Sequence, residues 1–154
     1  MIMSIVVVAN EAPENVKDYA AAINFAGQKL IEKDVITPEY ITACIERETD
    51  FPTGLELPYE DNVAMPHGNS AFVKKNGVSF VRAKNRIVFG SMEDKNEKVE
   101  CSFIFNLALS SGEEHLNVLK KLIRLFQNED FIKLCREETI DNIRGYIGSY
   151  LEEK

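Results

Sequence analysis

A chain of 154 residues with 45% hydrophobic and 28% charged residues has ordinary globular composition and enough length to bury a core without disulfides or metal. Its formal charge of -7, with basic residues scattered, excludes the concentrated cationic patch a nucleic-acid binder needs, so no nucleic-acid partner is expected. Cys44, Cys101 and Cys135 stand far apart with no CxxC pair, which argues against zinc, a redox pair or a disulfide framework and for a reducing compartment.

The opening MIMSIVVVANEAP has a short apolar run, Ile5 to Val8, without a positive flank. That run is too short for a signal segment or a membrane span, so the expected location is cytoplasmic. Residues 1–12 read either as a first strand or as an ordered lead-in. From Pro13 the pattern turns helical, with Tyr19, Ile23, Ala26 and Leu30 in one apolar stripe. Thr37 suits an N-cap and Pro38 the first position of a second helix, whose buried face is Ile41, Cys44 and Ile45. The charged run ERETD closes it.

FPTGLELPYEDNVAMPHG breaks the helical pattern with prolines and glycines. Two short strands are expected, around Thr53–Leu57 and Asn62–Met65, with His67 directly after the second. GVSFVRAKNRIVFG predicts two more short strands about a Lys-Asn-Arg turn, and EDKNEKVE a charged hairpin loop. VECSFIFNLAL alternates, with Val99, Cys101, Phe103, Phe105, Leu107 and Leu109 on one side. Ile104 and Ala108 are apolar on the other, which predicts a central strand covered on both faces.

Ser111 with Glu114 forms a capping-box pattern that opens a helix, and Leu116, Leu119, Ile123 and Phe126 supply its stripe. A short helix is expected from about Glu129 to Arg136. A last one runs from Thr139 to Leu151, burying Ile140, Ile143, Ile147 and Leu151. Helices, then strands, then helices, with no linker or repeat, predict one α/β (α+β) domain over 1–154: a mixed sheet of about five strands flanked by helices.

His67 and His115 are the only histidines. Pro66 and Gly68 hold the first in a turn after a strand, and the capping box puts the second in the first turn of a helix that follows the central strand. A helix N-terminus disfavours an imidazolium and welcomes an anion. If the two strand ends lie on the same side of the sheet, both imidazoles face one anion; otherwise they are unrelated parts of a fold. No HxH, HExxH, GxSxG or Walker-type pattern is present, so no metal or cofactor is expected.

Arg47-Glu48, Thr53-Gly54 and Ala64-Met65-Pro66-His67, followed downstream by FIFNLALSSGEEHLNVLKKLIRLFQNEDFIKL, resemble the two active-site blocks of type-2 enzyme IIA. This is the fructose, mannitol, galactitol and nitrogen-regulatory class of the bacterial phosphoenolpyruvate-dependent sugar phosphotransferase system. The likeness spans roughly Val16 to Leu151. It implies that His67 is the phosphorylated nucleophile, and that His115 and Arg47 stabilise the phosphoryl group. The implied partners are the phosphocarrier HPr, a cysteine of enzyme IIB and, indirectly, the membrane component IIC. FPTGLEL looks closest to the galactitol-type branch, whereas Gly68 is commoner in mannitol and fructose types, and Met65 stands where Ile or Leu is usual. A neutral imidazole suits a labile phosphoryl carrier. Two other functions fit the same residues, a regulatory IIA-like protein and a non-catalytic binding module. Glu48, Glu60 and Asp61 read as surface charges, or, for one near His67, as a carboxylate that orients its ring. Cys135-Arg136 resembles the phosphocysteine of IIB but falls in a helical pattern, where packing explains it.

Overall fold

The computed structural model describes residues 4–110 and 112–152, the side chain of Glu114 excepted. Its five strands are β1 (Val6–Glu11), β2 (Gly54–Leu55), β3 (Asn62–Ala64), β4 (Gly77–Gly90) and β5 (Lys98–Ala108). They form one mixed sheet in the order β1-β4-β5-β3-β2. β1 runs parallel to β4 and β3 parallel to β5, while β4–β5 and β2–β3 are antiparallel. The expected mixed five-stranded sheet is therefore found, and Val6–Glu11 is its edge strand rather than a lead-in.

Five helices cover the sheet: α1 (Tyr19–Glu32), α2 (Pro38–Asp50), α3 (Glu113–Phe126), α4 (Glu129–Glu137) and α5 (Ile140–Glu152). The first starts later than Pro13 because the Asp18 side chain accepts from the Ala21 amide and caps it there. Thr37 takes the N-cap of α2 and Pro38 its first position, as the spacing predicts. The core on the α1–α2 face gathers Ile23, Leu30, Tyr40, Ile41, Cys44, Val81, Ile104 and Ala108. The opposite core, under α3 to α5, is aromatic: Phe105 meets Phe80 at 5.2 Å and Phe126 at 5.0 Å between ring centroids.

Three expectations are corrected. GVSFVRAKNRIVFG is one continuous strand, β4, whose pairing with β5 shifts register between Arg82 and Ile87. Lys84, Asn85 and Arg86 are exposed along it, so their polarity marks an outward stretch rather than a turn. Second, Val99 and Cys101 lie in the α1–α2 core, while Phe103, Phe105, Leu107 and Leu109 lie in the other. Both neighbours of β5 pair with Cys101 and then Phe103, passing over Ser102, and one extra residue reverses the side-chain phase. Third, α3 buries Val118, Leu122, Leu125 and Phe126, leaving Leu116 56% and Ile123 40% exposed. Only Phe126 of the expected stripe lies in the core row. The α3 N-cap is Gly112, at φ 89°, and the Ser111–Glu114 capping box lies outside the described residues.

Among the described residues no helix is long and apolar enough to cross a membrane.

Candidate functional site

β3 and β5 are parallel neighbours, so the segments leaving their carboxyl ends emerge on the same side of the sheet. Met65-Pro66-His67 follows β3, and the turn into α3 with His115 follows β5. The two imidazoles consequently meet, with ring centroids 5.5 Å apart and an edge-on tilt of 63°. Neither histidine belongs to a core cluster; both are part-buried at the sheet's end.

Nδ1 of His67 lies 2.7 Å from the carbonyl oxygen of Met65. A carbonyl only accepts, so Nδ1 carries the proton and Nε2 keeps the lone pair. Burial pushes the imidazolium of His67 down to about 4, against the pull of the Met65 carbonyl, with Arg47 and His115 adding to the depression. His115 is lowered too, by burial and then by Arg47. Both rings are therefore neutral near pH 7.

Arg47 comes from the last turn of α2, its guanidinium 5.4 Å above the Phe51 ring. Together with Phe51, Met65, His67, Met92, Leu119 and Ile123 it lines an open cavity of about 430 Å³. The three residues singled out from sequence, His67, His115 and Arg47, are thus brought to one place.

The turn carrying His67 is fastened from beneath. Pro66 offers its carbonyl to the amide of Leu107 at 2.9 Å and to Asn106 Nδ2 at 3.0 Å. The Gly68 amide donates to Tyr40 Oη at 3.0 Å. A Cβ on Gly68 would lie 3.2 Å from the Cys44 amide nitrogen, so the loop passes α2 at a distance that favours glycine.

Two carboxylates read as surface charges are buried instead. Glu48, 5% exposed, accepts from the Thr53 amide at 2.6 Å and its hydroxyl at 2.9 Å. Burial raises its carboxyl while the Thr53 donors lower it. Thr53 Oγ1 in turn accepts from the Met65 amide at 3.2 Å, two residues before His67. Asp61, 6% exposed, accepts from Ser102 Oγ at 2.7 Å and pairs with Arg136 Nε at 2.6 Å. Both carboxylates are engaged elsewhere, and the His67 ring bonds the Met65 carbonyl. Glu60 is exposed, as expected. Cys135 is fully buried in α4, and its thiol is pushed up by burial, consistent with a packing role.

Tyr40 and Asn106 escaped the sequence reading because helix and strand patterns absorb them. The one signal was the solitary amide in the otherwise apolar stretch FIFNLAL.

Residues 8–149 match the family described as phosphoenolpyruvate-dependent sugar phosphotransferase system, EIIA 2. The mannitol-specific phosphotransferase enzyme IIA component of Enterococcus faecalis is 34% identical over 131 residues, covering 79% of this chain and 84% of its own. The galactitol-specific EIIA component of Escherichia coli K12 is 24% identical over 134 residues, covering 87% and 88%. Among solved structures, the mannitol IIA of Escherichia coli superposes with a TM-score of 0.68 at 26% identity over 90% of this chain and 94% of its own. The complex of mannitol enzyme IIA with phosphorylated enzyme IIB, also from Escherichia coli, gives 0.70 at 24% identity over 91% and 94%. The chain belongs to the type-2 enzyme IIA family, phosphotransferase components that carry a phosphoryl group on histidine in the sugar phosphotransferase system.

Proposed function

We propose that His67 is the phosphorylated residue, accepting phosphate from the phosphohistidine of HPr and donating it to a cysteine of enzyme IIB. The observation that carries this is the His67 ring with its Nδ1 committed to the Met65 carbonyl and the His115 ring 5.5 Å away. In the first step the Nε2 lone pair attacks phosphorus and the donor's P–N bond breaks, returning a neutral imidazole to the donor. In the second a thiolate attacks the same phosphorus and the P–Nε2 bond breaks. Neither step needs the Nδ1 proton to leave, so the Met65 hydrogen bond persists throughout.

Phosphoryl transfer asks the protein chiefly to position the group and stabilise its equatorial oxygens. Arg47, His115 and the amides at the start of α3 fill that role, without a metal or cofactor. Exposed Phe51, Met92, Leu116 and Ile123 surround the site and make an apolar face on which two successive partners dock. The chain works in the cytoplasm and feeds a membrane IIC component. The cargo is a sugar or polyol of the galactitol or mannitol kind, supported by the names of the relatives above and by the FPTGLEL turn.

The test is the intact mass of the protein after incubation with phosphoenolpyruvate, enzyme I and HPr. A gain of one acid-labile phosphoryl group, absent in His67→Ala, is the expected result. No gain, with the companions verified on another enzyme IIA, overturns the reading.

A further inference from the structure

We infer that Tyr40 and Asn106 are positioning residues for phosphoryl transfer, acting on the backbone at either side of His67. The inference rests on the carrier role proposed above.

Both residues are 1% exposed, on the sheet face covered by α1 and α2. At that depth packing alone is served by Phe and Leu, because an amide or hydroxyl in an apolar core is costly unless it is bonded. Tyr40 Oη and Asn106 Nδ2 each bond the same short loop, and Asn106 Nδ2 also lies 3.8 Å from Cys44 Sγ. Asn106 Nδ2 donates to the Pro66 carbonyl at 3.0 Å. Tyr40 Oη accepts from the Gly68 amide at 3.0 Å and donates to the Leu107 carbonyl at 2.6 Å. Leu107 completes the frame by donating its own amide to Pro66 at 2.9 Å.

The backbone before and after His67 is therefore tied to two adjacent residues of β5. The same strand leads, through the Gly112 turn, to His115. Tyr40 and Asn106 thus fix the loop bearing one histidine onto the strand from which the other is carried. What they control is the placement of Nε2 relative to His115 and Arg47. Misplacement of a reacting atom by about 1 Å costs up to roughly a hundredfold in rate. Neither side chain lines the cavity or its apolar rim, so donor docking is outside their reach.

The test compares Tyr40→Phe and Asn106→Leu with the parent protein, using phospho-HPr as donor and a thermal melt to set the assay well below unfolding. The expected result is kcat lowered roughly tenfold or more in each, with KM for phospho-HPr within about twofold of the parent. The double variant should lose less than the product of the singles, since both hold one loop. A second readout uses unphosphorylated protein. The His67 ring nitrogens give one sharp set of signals in the parent and become split or exchange-broadened in both variants. Variants that melt earlier yet keep kcat, with unchanged ring signals, overturn the inference and leave Tyr40 and Asn106 as packing. A parent protein that accepts no phosphate overturns the carrier reading instead, and the ring signals still decide whether the two residues hold the loop.

Discussion

The Nδ1 atom of His67 donates to the carbonyl of Met65, two residues earlier in its own chain, at 2.7 Å. The tautomer of the candidate nucleophile is set by local backbone geometry, not by a carboxylate. This differs from the common arrangement in which an acidic side chain orients a histidine.

Because burial depresses His67 to about 4 from 6.5, its ring should stay neutral to well below pH 6. Nitrogen-resolved NMR titration should show Nδ1 protonated and Nε2 bare from pH 8 down to about 5. The folded state then binds fewer protons than the unfolded state between about 6.5 and 4. The stabilising contribution of neutral His67 is thus fully present above about 6.5 and falls with pH to the lower value, by at most about 3 kcal/mol. His67→Gln should flatten this part of the pH–stability curve. An unchanged slope would place the titrating group elsewhere.

Replacing the second imidazole tests the shared site. His115→Ala should still fold and still accept phosphate on His67, with the transfer rate down by roughly a hundredfold, as for loss of one donor to developing charge. Arg47→Ala should behave alike. Single-turnover phosphorylation followed by intact mass reads both; rates equal to the parent would remove these residues from the reaction.

Glu48 is a structural anchor at the base of the site. Glu48→Ala leaves the buried Thr53 amide and hydroxyl without their carboxylate partner and should cost about 1–3 kcal/mol of stability. Denaturant unfolding measures this. A variant as stable as the parent would mean that water replaces the carboxylate freely.

The two rows of α3 should respond in opposite ways. Ile123→Asp, on the exposed row beside the cavity, should change stability by under about 0.5 kcal/mol and weaken partner binding by at least about tenfold. Leu122→Ala, in the buried row, should cost about 2–5 kcal/mol and leave docking intact in the folded fraction. Chemical denaturation and titration with HPr or IIB separate the two.

Much of this architecture was legible in the chain because its signals are local. The α1 stripe, Pro38 at the start of α2, and the buried row of Ile143, Ile147 and Leu151 in α5 each follow from spacing within one element. His67 stood out through its neighbours Pro66 and Gly68, and its pairing with His115 was legible as a condition on the sheet.

What only the tertiary structure decided were relations among residues far apart in sequence. Parallel pairing of β3 with β5 turned that condition into a 5.5 Å contact between rings. The passed-over Ser102 reversed half of β5, which no alternation count reveals because both faces are apolar. The outward row of α3 is hydrophobic for reasons outside the core, so hydrophobicity alone misassigned it. Glu48, Asp61, Tyr40 and Asn106 acquire meaning only when the fold supplies their partners, Tyr40 reaching Leu107 across 67 positions and Asn106 reaching Pro66 across 40. Periodicity reports which side chains leave water. Which buried polar atoms then bond one another is settled by three-dimensional proximity, since hydrogen bonds act over about 3 Å and carry no trace along the chain.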